Sequence, residues 1–226
     1  MIVGNGLIAK SFLNSQYLFN NEIIFASGVS NSLQTSNVEF KREVDLLLSY
    51  KNNNKKFVYF STSSIFDNNR KSDPYVVHKI NIENIIKDNF SNYLIYRLPI
   101  VVGRSINSNT LANYLYHKIK NNYNFEIHSN SCRYLIDICD VTKYVYNTID
   151  NNRVEINLNF DNKISIEGIV KIFEKILNKN AQYIKINKGD CYDIDNSLFK
   201  DLVNHNIEIE ECNSYNEKLL EKYFGY

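Results

Sequence analysis

The 226-residue chain has little of several things on which common protein classes depend. It has no tryptophan, one methionine, two prolines and seven glycines, and it contains no Gly/Ser linker, so we expect any second lobe to be interwoven with the first. No run approaches the roughly 20 apolar residues of a transmembrane helix, and no signal-peptide pattern opens the chain. A net charge of +1 gives no sign of a nucleic-acid or membrane surface. We therefore expect a cytoplasmic protein that binds neither nucleic acid nor membranes.

Cysteine is also scarce, and its spacing is uninformative. Cys132, Cys139, Cys191 and Cys212 show no Cys-x-x-Cys pair. Such cysteines are typical of reduced cytosolic thiols rather than of a disulfide framework or metal centre. The histidines form no ligand spacing either, so we expect no metal site.

What the chain does contain is an alternation of short β-rich runs and helical segments, which is typical of a parallel sheet with crossover helices. The predicted strands are Met1–Val3, Glu22–Ala26, Lys56–Phe60, Tyr93–Leu98 and, later, Ile156–Asn159. The predicted helices end near Leu18, cover Val38–Tyr50, carry Tyr75 to about Lys87, cover Asn109–Lys120, begin near Val141, and cover Ser165–Leu177. A hydrophobic fraction of 44% is ordinary for one globular α/β domain of this length.

Tyr75 and Lys79 lie four positions apart, just after the helix-opening pair Asp73-Pro74. Residues four apart share one face of a helix. A neighbouring positive charge favours the phenolate and makes a tyrosine a better acid–base catalyst at neutral pH. The alternative interpretation is a tyrosine packed at a helix start beside a solvated lysine.

The segment Gly4-x-Gly6-x-x-Ala9 stands where a strand turns into a helix. Glycines there let the backbone approach a pyrophosphate, although an ordinary tight turn is the alternative. A dinucleotide-binding unit normally carries an acidic residue about 20 positions on, for the adenosine ribose. Here the second strand ends in Ala26-Ser27-Gly28, and no carboxylate occupies that place.

With these motifs in view, the whole chain resembles the extended short-chain dehydrogenase/reductases that act on nucleotide sugars. The similar segments are Gly4–Ala9, Phe25–Gly28, Phe60–Phe66, Tyr75 with Lys79, Arg97–Gly103 and Arg133–Val141. The resemblance implies a Rossmann-like parallel sheet with helices on both faces and a small C-terminal substrate lobe. It implies one interwoven domain, with residues 1–103 mainly the dinucleotide-binding core and residues 104–226 mainly the substrate lobe.

The chain is shorter than the family between Gly6 and the strand end at Ala26, which are only about 20 residues apart. The simplest interpretation is that the family's second and third strands, with their helix, are missing. The strand ending at Ala26 would then be the family's fourth, which also explains the missing ribose carboxylate. The expected cofactor is NADP or NAD, with NADPH slightly favoured.

The resemblance also implies site residues. Tyr75 would exchange the proton of a sugar carbonyl or alcohol, Lys79 would lower its pKa and hold the nicotinamide ribose, and Thr62 would hydrogen-bond the reacting oxygen. The implied cofactor-binding residues are Gly4, Asn5, Gly6, Leu7, Ile8, Ala26, Ser27, Gly28 and Pro99, with Tyr75 and Lys79. The implied substrate-binding residues are Ser63, Ser64 and Arg133.

Four polar residues lie in or near the matching segments, and each of them has its own predicted role. Arg133 is the candidate for the substrate diphosphate, and its alternative is a structural salt bridge to Asp137 or Asp140. Arg97 is interpreted as structural, and His78 is assigned no role because its position is off the Tyr75–Lys79 face. Asp140 is predicted to cap a helix beginning at Val141.

The residues after Thr62 discriminate between reactions. Family members that dehydrate a sugar resemble Thr-Asp-Glu here, whereas this chain has Ser63 and Ser64. We therefore expect reduction of a 4-keto-(6-deoxy) nucleotide sugar, with an NAD-dependent 4-epimerase as the alternative. A non-catalytic dinucleotide sensor is the alternative of another class. The expected partner is a nucleotide-diphosphate sugar, and the family resemblance also allows a homodimer.

Overall fold

The computed structural model describes residues 1–104, 110–203 and 212–225. Its main sheet consists of five parallel strands in the order β1-β2-β3-β4-β9. These strands are β1 (Ile2–Val3), β2 (Glu22–Phe25), β3 (Lys56–Thr62), β4 (Tyr93–Leu98) and β9 (Val154–Asn157). In the register, Ile2 lies opposite Ile24, and Phe60 lies opposite Tyr96.

Helices cover both faces of this sheet, because successive side chains of a strand point to opposite faces. The helices are α1 (Leu7–Leu13), α2 (Asn37–Leu48), α3 (Pro74–Asn89) and α5 (Ile138–Asn147). One face carries Ile24 and Val58 in a core with Phe12 of α1 and Val141 of α5. The other face carries Phe25, Phe57 and Tyr59 in a core with Leu47 of α2 and Ile82 and Ile86 of α3. The chain is thus an α/β protein with a doubly covered parallel sheet, as the sequence predicts.

Strand β1 lies at the edge of the described sheet and pairs directly with β2. The doubly wound dinucleotide-binding fold has the strand order 3-2-1-4-5-6. Removing its strands 3 and 2 leaves strand 1 at an edge beside strand 4, which is the arrangement observed. The prediction that two strands are missing from the N-terminal half is therefore confirmed.

A second cluster of elements lies beside this sheet. Its short strands are β5 (Ile100–Val102), β6 (Phe125–His128), β7 (Cys132–Arg133), β8 (Leu135–Asp137), β10 (Ile164–Ser165) and β11 (Tyr183–Ile186). They pair as β5 with β8, β6 with β11, and β7 with β10. Its helices are α4 (Leu111–Lys120), α6 (Ile166–Leu177), α7 (Ser197–Leu202) and α8 (Cys212–Phe224). Leu115, Ile169, Phe173 and Leu220 lie in the separate core between α4, α6 and α8.

Two predicted helix boundaries were wrong. Helix α1 ends at Leu13, five residues before the predicted end at Leu18. Helix α5 begins at Ile138 because the Asp137 carboxylate accepts a hydrogen bond from the Cys139 N–H at 2.8 Å and caps the helix there. Asp140 therefore lies inside α5. The predicted start of α4 at Asn109 lies outside the described residues.

The prediction for the cysteines was also wrong in part. Cys132 and Cys191 form a disulfide, with their Cα atoms 4.5 Å apart. The fold brings β7 against the loop after β11, where the Cys132 N–H donates to the Asp190 carbonyl at 3.3 Å. Cys139 is a free, exposed thiol, and the side chain of Cys212 lies outside the described part.

The described residues lack two further features. None of the helices there is long and apolar enough to cross a membrane. No group of three or more metal-binding side chains is placed there to hold an ion.

Candidate functional site

The predicted site residues follow the carboxyl ends of neighbouring parallel strands. Gly4 follows β1, Ala26 follows β2, Thr62 ends β3 and Pro99 follows β4. Parallel strands end at one common edge, and open α/β sheets bind their ligands outside that edge. The fold therefore brings these four segments to one side of the main sheet.

The loop after β1 lies directly against the loop after β2. Gly4 has φ +124°, and a Cβ atom there would lie 2.4 Å from the Ala26 carbonyl oxygen. Gly6 precedes α1, and a Cβ atom there would have no neighbour within 4 Å. The first glycine is thus required by close packing, and the second leaves open space above the backbone. This space and the neighbouring residues Asn5, Leu7 and Ile8 fit the approach of a pyrophosphate.

The loop after β2 lies against α2 and α3. A Cβ atom on Gly28 would lie 2.7 Å from Glu43 Oε1 and 2.9 Å from Lys79 Nζ. The guanidinium of Arg42 donates to the Ser27 carbonyl at 3.2 Å. The loop that is predicted to be the second cofactor segment therefore lies close to the helix that carries Tyr75 and Lys79.

Helix α3 begins at Pro74 and places Tyr75 and Lys79 on its buried face, where they are 7% and 2% exposed. The Lys79 ammonium lies 6.0 Å from the centre of the Tyr75 ring. A lysine so deeply buried is not the solvated side chain of the alternative interpretation. The structure thus places a cation beside the phenol, as the spacing predicts.

The Lys79 ammonium has two close partners. Its Nζ atom donates to the Tyr59 hydroxyl at 2.7 Å and to Glu43 Oε1 at 3.1 Å. It also lies 4.8 Å from the centre of the Tyr59 ring. An ammonium has three N–H donors, so one remains for a ligand beyond these two described partners.

Glu43 is fully buried and accepts four hydrogen bonds. Besides Lys79, its donors are Tyr59 OH at 2.6 Å, the Val29 N–H at 2.7 Å and His78 Nε2 at 3.0 Å. Burial opposes ionisation, but Lys79 and these donors outweigh it and hold the pKa of Glu43 well below its usual range. Burial and the adjacent Glu43 carboxylate raise the pKa of Tyr59. His78, to which the sequence assigned no role, thus shares this carboxylate with Lys79.

Thr62 ends β3 and starts a 3₁₀ turn over Ser63–Phe66 that contacts α3. Its hydroxyl accepts a hydrogen bond from the Ser64 N–H at 3.1 Å. Thr62 and Ser63 are buried, and Ser64 is partly exposed. This turn lies between α3 and the segment that carries Arg133.

Arg133 lies beside the turn and is held by neighbouring oxygens. Its guanidinium lies 3.5 Å from Asp67 Oδ2, and it donates to the carbonyls of Cys132 at 2.6 Å and Asp190 at 3.2 Å. It also lies 5.7 Å from the ring centre of Tyr192, whose hydroxyl is close enough to the Ser63 side chain for the two to interact. Ser63 and Arg133 are therefore brought together.

The predicted structural partners of Arg133 were wrong. Asp137 instead accepts from Lys222 and Tyr223, both at 2.7 Å, and Asp140 accepts from Tyr215 at 2.7 Å. Side chains of α8 thus bind both of these carboxylates. The carboxylate beside Arg133 is instead that of Asp67, which follows the 3₁₀ turn.

Arg97 is structural, as expected. It binds both carboxylate oxygens of Glu83, with distances from 2.6 to 3.2 Å, and lies 3.6 Å from Glu155. Although burial alone would lower it, the bonds to Glu83 raise the pKa of Arg97. Pro99, two positions further on, connects β4 to β5 without entering either strand.

Sequence reasoning assigned no site role to Glu43, Tyr59 or Asp67, and it noted the segment that begins at Tyr192 as similar to a family segment near the substrate lobe without assigning it to the site. The one signal for Glu43 is helical spacing, since Phe40 and Leu47 lie three positions before and four after it on the inner face of α2. Asp67 and Tyr192 meet Arg133 only through tertiary contacts, for which no local pattern exists.

No family model and no curated protein sequence matches the chain. Solved structures do match. A UDP-glucuronic acid 4-epimerase from Bacillus cereus, bound to UDP-glucuronic acid and NAD, has a TM-score of 0.72 and 18% identity over 90% of this chain and 75% of its own. RMD from Pseudomonas aeruginosa, complexed with NADPH, has a TM-score of 0.70 and 11% identity over 91% of this chain and 81% of its own.

A third structure is a UDP-N-acetylglucosamine 4-epimerase from Methanobrevibacter ruminantium M1 in complex with UDP-N-acetylmuramic acid. It has a TM-score of 0.69 and 16% identity over 93% of this chain and 80% of its own. At these identities the similarity shows the fold. The chain shares the fold of these three structures, and its main sheet begins with β1 at an edge.

Proposed function

We propose that the chain is an NAD(P)-dependent enzyme that modifies a nucleotide sugar. The observation that carries the proposal is the placement of Tyr75 and Lys79 on one buried face of α3, with Thr62 at the end of the adjacent strand. Structures of the same fold contain NAD with a UDP-sugar, or NADPH. A non-catalytic sensor of the same fold would need none of these three side chains.

The residues present fit the central part of a dinucleotide. Gly4, Asn5 and Gly6 offer backbone and open space to the pyrophosphate, and the Ala26–Gly28 loop leads from there to Lys79. The nicotinamide, when bound, would supply or accept a hydride at its C4 atom. The remaining N–H of Lys79 would bind a ribose hydroxyl.

Three side chains would take part in proton transfer and hydrogen bonding at the reacting sugar oxygen. The Tyr75 hydroxyl would donate its proton to a carbonyl, or remove the proton of an alcohol. The Lys79 ammonium, 6.0 Å from the centre of the Tyr75 ring, would stabilise negative charge that develops on the phenol oxygen during this exchange. The Thr62 hydroxyl would donate a hydrogen bond to the same oxygen as negative charge develops on it.

Arg133 would bind the substrate diphosphate, with Ser63 and Ser64 beside it. A guanidinium can bind phosphate oxygens bidentately. In the described structure Asp67 contacts one nitrogen of the Arg133 guanidinium, at 3.5 Å, and so compensates its positive charge only in part. The connection from Arg133 through Tyr192 to Ser63 supports one continuous substrate surface along the 3₁₀ turn.

Within this class we favour reduction of a 4-keto-(6-deoxy) nucleotide sugar. Ser63 and Ser64 lack the carboxyl group that an elimination would need, and a sheet without two strands of the adenosine side suits an exchangeable cofactor. NADPH is our slight preference. The second candidate is a 4-epimerase with bound NAD, which is favoured by the epimerase structures that share the fold.

A homodimer through α3 is also part of the proposal. Val77 and Ile80 lie three positions apart on this helix and are 52% and 39% exposed, so they share one apolar face that a second copy of the chain would cover. A dimer mass in light scattering, reduced to a monomer by Val77→Glu, would support it. A monomer mass for the unmodified chain would contradict it.

The function is tested by titrating purified protein with NADH and NADPH, followed by fluorescence, and by mass analysis of anything that co-purifies. Exchangeable binding and oxidation of NADPH or NADH by a 4-keto-6-deoxy nucleotide sugar would support the reductase. Tightly bound NAD with interconversion of two sugar epimers would favour the epimerase. Failure to bind either cofactor would contradict both enzymes.

A further inference from the structure

The Glu43 carboxylate lies beneath the proposed site and is hydrogen-bonded to several of the buried side chains there. Glu43 is 0% exposed, and each of its oxygens accepts two hydrogen bonds. Oε1 accepts from Tyr59 and Lys79, and Oε2 accepts from Val29 and His78. Four donors converging on one carboxylate keep it ionised despite its burial.

Lys79 depends on that negative charge. Its side chain is 3% exposed, and a buried ammonium without a partner tends to lose its proton. The titratable groups around it are Tyr59 from β3, Tyr75 and His78 from α3, and Glu43 from α2. Of the carboxylates in the described residues, Glu43 is the one that forms an ion pair with Lys79.

The next carboxylate along α3 cannot replace it. Glu83 is also buried, but both of its oxygens are bound by Arg97, and one also accepts from Ser61 at 2.6 Å. Glu83 is thus neutralised by its own cation. It offers a matched comparison, because it is a second buried glutamate in an ion pair that does not include Lys79.

We propose that Glu43 is a positioning residue of the site, which acts through Lys79 by fixing the ammonium beside Tyr75 and keeping it protonated. This inference rests on the proposed function. The carboxylate leaves one ammonium N–H for a ribose hydroxyl, and it balances part of the charge that acts on the Tyr75 phenol. Glu43 touches neither substrate nor cofactor in this role.

The first test is the pH dependence of NADH binding, measured by fluorescence, for the unmodified chain and for Glu43→Gln and Glu83→Gln. Without its counter-charge, Lys79 should lose its proton at lower pH. We expect the alkaline midpoint of NADH binding to fall by roughly one to three pH units in Glu43→Gln. Glu83→Gln should keep the midpoint of the unmodified chain, even if it unfolds at a lower temperature.

The second test needs no cofactor. Thermal unfolding is compared for Glu43→Gln, Lys79→Met and the double variant. Leaving Lys79 buried without a carboxylate is the main cost of Glu43→Gln, and the double variant removes that cost. We expect the double variant to unfold at a temperature no lower than Glu43→Gln, whereas independent sites would give additive losses.

The outcomes separate the two proposals. A chain that binds neither NADH nor NADPH contradicts the proposed function. A chain that binds NADH, but whose midpoint is unchanged in Glu43→Gln or shifts equally in Glu83→Gln, overturns the role of Glu43 alone. If Glu43→Gln fails to fold, a double variant that also fails to fold while Lys79→Met alone folds would overturn it, because the loss at Glu43 would then be independent of Lys79.

Discussion

Replacing Gly4 by alanine should destabilise the chain strongly, whereas the same change at Gly6 should not. Gly4 has φ +124°, which costs a residue with a Cβ atom about 1–3 kcal/mol. The new Cβ atom would also lie 2.4 Å from the Ala26 carbonyl oxygen. Neither the added Cβ atom nor the Ala26 carbonyl oxygen can rotate away, because one is bonded to the backbone and the other is part of it. The clash is removed only if β1 and β2 move apart, which costs about 1–3 kcal/mol more.

The expected loss for Gly4→Ala is therefore about 2–6 kcal/mol in the free energy of unfolding. Gly6 has φ −77°, and its added Cβ atom would meet nothing within 4 Å. Because alanine is a poorer helix N-cap than glycine, Gly6→Ala should still cost up to about 1 kcal/mol. The pair thus separates a glycine needed for folding from one needed for a ligand.

The assay is urea unfolding followed by circular dichroism, with NADH binding measured on the folded variants. Gly6→Ala should unfold near the urea concentration of the unmodified chain and yet bind NADH more weakly, because its methyl group fills the space above the loop. Equal unfolding midpoints for Gly4→Ala and Gly6→Ala would refute the close approach of the two loops. Unchanged NADH binding by Gly6→Ala would refute the placement of the pyrophosphate.

Three further outcomes are expected. Arg97→Ala should cost about 3–5 kcal/mol in chemical unfolding, because it leaves the buried Glu83 carboxylate unpaired; a loss below 1 kcal/mol would contradict this. Tyr75→Phe should keep the fold and NADH binding and should lower kcat at least 100-fold, since a general acid–base contributes about that much or more; normal turnover would favour the sensor. Replacing Cys132 and Cys191 together by serine should cost about 4 kcal/mol by the chain-entropy relation for a 59-residue separation, and an unchanged unfolding midpoint in non-reducing buffer would contradict the crosslink.

The sequence predicts the main sheet well because its strands are buried on both faces. Continuous apolar runs mark β3 and β4, and β4 was placed at its observed residues, Tyr93–Leu98. The helix of Tyr75 and Lys79 is equally clear, because Pro74 fixes its first turn. These signals are local, so they can be read without knowing the fold.

The parts that sequence reasoning missed depend on distant contacts. The strands of the second cluster are two to four residues long and pair with partners far along the chain, as β6 does with β11. The disulfide joins residues 59 positions apart without any local motif. Glu43 was missed for a related reason. Its neighbours Lys41 and Arg42 suggest a solvated helix surface, and only the arrival of Lys79 and His78 from α3 makes its burial favourable.

The position of β1 at the sheet edge has a further consequence for self-association. An edge strand presents unpaired N–H and C=O groups that can recruit a strand from another molecule. Here that edge is only two residues long, Ile2–Val3, and the next residue, Gly4, lies against the Ala26 carbonyl just after β2. So short an edge is a poor template for intermolecular strand pairing. A sheet that lacks its outer strands normally exposes an edge with many unpaired N–H and C=O groups. In this protein β1 is so short that few such groups are exposed at this edge.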